Sequence, residues 1–172
     1  MWQYTGKQRP EFADQPEPGQ QSVWDYPRPP ALAIDSRRVV VRAGNQIIAD
    51  TQRACRVLET ASPPTFYLPP VDVAMDLLRP ATGASLCEWK GRAGYWSVIT
   101  TDGSDYSKVA WSYPHPTPAF AQIAGWISFY PGRIHCEVDG ERVRPQPGGF
   151  YGGWLTEEVI GPVKGTPGSG HW

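Results

Sequence analysis

Apolar positions along this chain fall into short runs, many of them alternating with polar ones, and nearly every run ends at Gly, Pro, Asn or Asp. Alternation over a few residues is the signature of a half-buried strand, and those four residue types are the common turn formers. The clearest case lies at 37–50. Arg38-Val39-Val40-Val41-Arg42 is a β-branched run, Gly44-Asn45 can take the positive φ of a tight hairpin, and Ile47-Ile48-Ala49 reads as the return strand. Ala54 to Glu59 fits either a strand or a helical turn. Thr65-Phe66-Tyr67-Leu68 is a strand held between Pro63-Pro64 and Pro69-Pro70. Val71 to Leu78 is the best short helix, starting after a Pro pair and closed by Pro80.

Beyond Ser85 the strand signals return at Leu86–Trp89, Tyr95–Thr100, Val109–Tyr113, Trp126–Tyr130 and Ile134–Val138. Turns at Lys90-Gly91, Asp102-Gly103, Pro114–Pro118, Pro131-Gly132 and Asp139-Gly140 separate them, and Thr117 to Ile123 adds one helical turn. Short strands at this density, with no βαβ unit, predict a mainly β, compact antiparallel domain of two sheets with one or two short helices. Residues 1–36 and 145–172 read as arms around a β domain at 37–144. The first carries eight prolines or glycines, yet holds Trp2, Tyr4, Phe12, Trp24 and Tyr26. A disordered tail is usually poor in aromatic residues, so the arms are expected to lie against the domain or a second subunit. A homodimer through exchanged arms and wrapping within one chain both satisfy this. Trp24-Asp-Tyr-Pro-Arg-Pro and Trp111-Ser-Tyr-Pro-His-Pro share a W-x-Y-P-x-P pattern, which either reflects composition or marks two similar aromatic corners.

Composition narrows the function classes. The chain has 172 residues with a net charge of −1, and no run of like charge marks a nucleic-acid footprint. No apolar stretch reaches the length of a membrane span, and Met1 to Gly19 lacks the apolar core of a secretory signal. Three cysteines without close pairing point to the reducing cytoplasm. Eight Trp and eight Tyr carry most of the chemical interest. Tyr67, Trp89, Tyr95, Trp96, Trp111, Tyr113, Trp126 and Tyr130 lie on strands or at strand ends. Neighbours on a strand point to opposite faces, so Tyr95 and Trp96 cannot both face one core. Some rings must therefore line a pocket or a contact surface.

The middle of the chain resembles the DUF427 family, over about 38–143. The resemblance rests on Arg53-Ala-Cys-Arg-Val-Leu-Glu-Thr, Pro63-Pro64 with Tyr67 and Pro69, Asp72-Val73, Cys87-x-x-Lys90-Gly91, Tyr95-Trp96-Ser97-Val98, Ala110-Trp111-Ser112-Tyr113-Pro114, Ile123-Ala124-Gly125 and Phe129-Tyr130. The tail motifs Phe150-Tyr-Gly-Gly-Trp and Gly161-Pro-Val-Lys-Gly look like longer members. The resemblance implies a tent-like pair of β-sheets, similar to methionine sulfoxide reductase B and the Mss4-like proteins. Those relatives often bind zinc through two Cys-x-x-Cys pairs, which this sequence lacks, so no metal site is expected. The family also carries a nucleotidyltransferase label, and the residues themselves name no cofactor.

Three functions stay open on these residues. In the first, a small organic molecule, anionic or aromatic, binds between Tyr67, Tyr95, Trp96, Trp111 and Tyr113, with Arg53, Glu59 and Lys90 as polar contacts. An enzyme is the second: Asp72 and Asp76 for metal-assisted nucleotidyl transfer, or Cys87 as a thiolate favoured by Lys90. The third is a structural protein assembling through its arms. The isolated histidines 115, 135 and 171 fit none of these.

Overall fold

A computed structural model describes residues 1–172. The expected mainly β, antiparallel architecture is observed. The strands are β1 (Gln21–Ser22), β2 (Ala31–Asp35), β3 (Val39–Ala43), β4 (Gln46–Thr51), β5 (Ala54–Leu58), β6 (Thr65–Tyr67), β7 (Leu78–Cys87) and β8 (Gly91–Ile99). They continue with β9 (Asp105–Ser112), β10 (Ser128–Phe129), β11 (His135–Val138), β12 (Glu141–Arg142), β13 (Arg144–Pro145), β14 (Trp154–Leu155) and β15 (Val159–Ile160). Two four-stranded antiparallel sheets, β12-β11-β3-β4 and β10-β9-β8-β7, enclose the main core with the help of the three-stranded sheet β2-β5-β6. The ambiguous 54–59 segment is strand β5. The predicted hairpin forms as β3–β4 across Gly44, whose φ is +59°.

All helical segments are short 3-10 turns. The stretch read as a helix from Val71 to Leu78 forms two, Pro70–Asp72 and Met75–Leu77. Tertiary pairing overrides the local pattern there. Val73 bridges Ala49 as a strand would, and the Ala74 amide donates to the Ile48 carbonyl at 2.7 Å, which pulls the middle of the segment into extended form. Leu78 then opens the ten-residue strand β7, which ends at Cys87, so only the first two residues of the predicted Leu86–Trp89 strand are strand and Glu88 and Trp89 lie in the turn to β8.

Strands β6, β8 and β9 act as party walls between two apolar clusters. Phe66 and Leu68, Trp96 and Val98, and Ala110 face or pack on the main core. Tyr67, Ala93 and Tyr95, Trp111 and Tyr113 belong to the second cluster. The alternation required by the strand geometry thus divides the aromatic rings between two compartments. Trp154 anchors the main core, fully buried and stacked on Phe66 at 4.6 Å, with its Nε1 donating to the Phe129 carbonyl.

The two arms meet in a third cluster. Val23, Trp24 and Tyr26 pack with Val159, Val163 and Ala61, and Trp24 Nε1 donates to the Pro162 carbonyl at 3.0 Å. Phe12 stacks on Trp172, and β1 pairs in parallel with β15. The arms therefore wrap their own chain in this structure. Residues 31–35, within the stretch read as arm, form β2 and pair with β5. No helix is long and apolar enough to cross a membrane.

Candidate functional site

The second cluster does not close on itself. Its open side is a cavity of about 440 Å³. Tyr67, Trp111, Tyr113 and Tyr95 form one wall, with Trp89 and Cys87 beside them. Leu86, Phe150, Tyr151 and Trp2 stand at the rim and roof. Burial of aromatic surface against a few placed polar groups is the usual make-up of a small-molecule site.

Lys90 is the central polar group. It sits in the β7–β8 turn, where Thr117 pins the backbone: its hydroxyl donates to the Trp89 carbonyl at 2.6 Å, and its amide donates to the Lys90 carbonyl at 3.1 Å. Gly91 follows with φ +100°, a value that suits glycine and turns the chain into β8. The Lys90 side chain is folded inward, so the residue is 8% exposed. Its ammonium lies 5.6 Å from the Tyr113 ring centroid and 5.8 Å from that of Phe120. Burial works against that charge. The groups facing it, Tyr67 and Cys87 once ionised and then Glu59, outweigh burial and hold its pKa above the ordinary lysine value.

The phenols respond to the same dry surroundings. Burial pushes Tyr67 and Tyr113 above the ordinary phenol value, and Tyr130 up to about 12. Trp111 Nε1 donates to the Tyr67 hydroxyl at 3.2 Å, which fixes both rings. Glu59 lines the cavity but is engaged: its Oε1 accepts from Arg28 Nε at 3.3 Å and Trp89 Nε1 at 3.2 Å. Arg28 is buried and also donates to the carbonyls of Tyr4 and Thr60, so one guanidinium ties the first arm to β5 and the cavity.

Six of the eight residues expected at a site are brought together here: Glu59, Tyr67, Lys90, Tyr95, Trp111 and Tyr113. Two are not. Trp96 points through the opposite face of β8 to the main core, and its Nε1 donates to Ser112 Oγ at 2.9 Å. Arg53 lies on a separate open surface with Arg38, Asp50 and Asp72, paired with Asp72 at 2.7 Å and with its side chain 64% exposed. That hydrogen bond, and then one from the Thr51 hydroxyl, hold the Asp72 carboxyl below the usual carboxylate value. Asp76 takes no part in this pairing; its carbonyl accepts from Arg79. No group of three His, Cys, Asp or Glu side chains is placed to hold a metal ion. Cys87 lines the cavity, whereas Cys55 and Cys136 are buried thiols pushed up by burial.

Sequence reading missed the roof. Trp2, Gln146, Phe150, Tyr151 and Lys164 come from the arms. The strap Pro147 to Gly153 crosses Trp111 so closely that a Cβ on Gly152 would lie 2.2 Å from its ring. Gln146 fixes the strap ends, accepting from the Gly153 amide at 3.1 Å and donating to the Lys164 carbonyl at 2.7 Å. Lys164 in turn faces the rings of Trp2 and Tyr151 at 5.4 and 5.6 Å. The Gly-Gly-Phe-Tyr-Gly-Gly pattern was the available signal: glycines on both sides of two rings allow close passage over another ring.

A comparison with protein families finds one match, a domain of unknown function (DUF427), over residues 31–143. No curated protein matches the sequence. The matched span runs from β2 through the turn after β12, so it carries the cavity wall and Lys90 but not the roof.

Proposed function

The chain belongs to the DUF427 family, and we propose that it is a binding module that holds a small organic molecule with planar aromatic surface in the cavity beside Lys90. One observation carries this reading: a buried ammonium opens into a 440 Å³ cavity walled by Tyr67, Trp111 and Tyr113. A charge is costly to bury and is retained where it has a partner. Rings on the walls supply stacking and cation–π contacts, and one polar anchor sets the orientation. Arg53 does not serve as that anchor, because it lies on another surface and is paired with Asp72. The same pairing weighs against nucleotidyl transfer through Asp72, whose carboxylate is already engaged by Arg53 and Thr51.

The test is a broad metabolite and nucleotide screen on the full chain, read by thermal shift and tryptophan fluorescence. Trp89 and Trp111 line the cavity, so an occupant should quench or shift emission. A screen with neither a thermal shift nor a fluorescence change would remove the basis of this reading.

A further inference from the structure

Resting on that reading, the geometry points to a specific class of occupant: a planar aromatic monocarboxylate, its carboxylate on Lys90 beside the hydroxyls of Tyr67 and Tyr113, its ring against Trp111. The charge pattern of the cavity leads there. Lys90 is more than nine-tenths buried, and no carboxylate oxygen lies within 4.0 Å of its nitrogen. Its ammonium donates to no oxygen of the chain and has the Cys87 thiol beside it, yet it is not sealed off, because it lines the cavity. The rings of Tyr113 and Phe120 cover part of it at 5.6 and 5.8 Å, and the remaining direction is the cavity.

The other cations near the cavity each have an oxygen partner. Arg28 holds Glu59, and Lys164 donates to the Trp172 carbonyl at 3.1 Å. Lys90 has no such oxygen partner, so the cavity asks for a negative charge there. The neighbouring phenols supply donors. Tyr67 uses its oxygen to accept from Trp111, which leaves its own proton to give. Tyr113 bonds no oxygen of the chain, has the Cys87 thiol beside its hydroxyl, and lines the same wall. Donors without acceptors around one ammonium form a receptor for an oxyanion. A dianionic phosphate needs a second cation free of partners, and Lys164, the other lysine of the cavity, is bonded to the Trp172 carbonyl. The adjoining surface explains the ring. Trp111 and Tyr130 lie 4.5 Å apart at 46°, and Tyr95 and Trp89 extend this apolar face.

Four matched probes decide the matter: 2-naphthoate, 2-naphthamide, 2-naphthyl phosphate and cyclohexanecarboxylate, titrated into the full chain by tryptophan fluorescence. Naphthoate is expected to bind, with the amide at least about tenfold weaker, as loss of a charged hydrogen bond implies. Cyclohexanecarboxylate should also be weaker, for want of stacking. In Lys90→Met the preference for naphthoate over naphthamide should vanish. If that variant fails to fold, the double variant Tyr67→Phe, Tyr113→Phe takes its place and should weaken naphthoate but not naphthamide. Equal binding of acid and amide, or tighter binding of the phosphate, would overturn the monocarboxylate assignment and leave the binding reading standing. Failure of all four probes overturns the assignment too; the binding reading itself falls only if the broad screen is also silent.

Discussion

Lys90 and Arg53 are both cations set in motifs of the same family, and the fold treats them in opposite ways. Arg53 lies in the open, with its guanidinium bonded to both oxygens of Asp72. Lys90 is folded under a turn, 8% exposed, and faces a cavity without a carboxylate at contact distance. In water an exposed pair gains little, because solvent competes with both partners. Among buried rings a lone charge is expensive, and a ligand that satisfies it gains correspondingly more. The difference teaches that residue type and motif membership do not mark a site. Burial without a partner does.

The largest test of this contrast attacks the cavity's shape. Gly152→Val places side-chain atoms where the Trp111 ring already lies. Overpacking of this kind costs about 1–3 kcal/mol. The unfolding midpoint in denaturant should drop accordingly, and any ligand that quenches tryptophan should lose affinity. A variant with unchanged midpoint and unchanged quenching would mean that the strap does not bear on Trp111.

A smaller effect distinguishes the dry wall from the wet surface by alkaline titration. Tyr67, Tyr113 and Tyr130 have raised folded-state pKa values, Tyr130 to about 12. The unfolded chain releases these protons near the ordinary phenol value of about 10. Their contribution to stability is complete below that value, and is lost as pH rises through the folded-state values. Stability should therefore fall from about pH 10 upward, with buried phenols ionising late in the absorbance titration. Phenols that all titrate near the ordinary value in the folded protein would show the wall to be wet.

The smallest effect belongs to the exposed pair. Asp72 has a lowered pKa because of Arg53 and then Thr51. Its contribution is present above the ordinary carboxylate value and disappears as pH falls through the lower folded-state value. Arg53→Ala should lower the neutral-pH midpoint only slightly, as for any exposed pair, and leave ligand quenching unchanged. The Asp72 carboxyl should move up toward the ordinary value in an NMR titration. Loss of ligand response in this variant would return Arg53 to the site.

The sequence by itself determined a good deal. The β-branched runs, the Gly-Asn turn and the Pro pairs specified the β3–β4 hairpin and strand β6, because strand alternation and turn chemistry act between near neighbours, whereas 54–59 fitted strand or helical turn until pairing with β2 and β6 decided it. The same alternation required Tyr95 and Trp96 to part company, and they do, one to the cavity and one to the main core. Tertiary structure decided the rest. It drew Val73 and Ala74 into extended pairing with β4 where the local pattern read as helix. Arg53 found its carboxylate on Asp72, nineteen residues away. Trp2, Tyr151 and Lys164 came over a wall built from the middle of the chain. Pairing, burial and enclosure depend on residues far apart in sequence, and a local pattern carries no record of which distant neighbour will arrive.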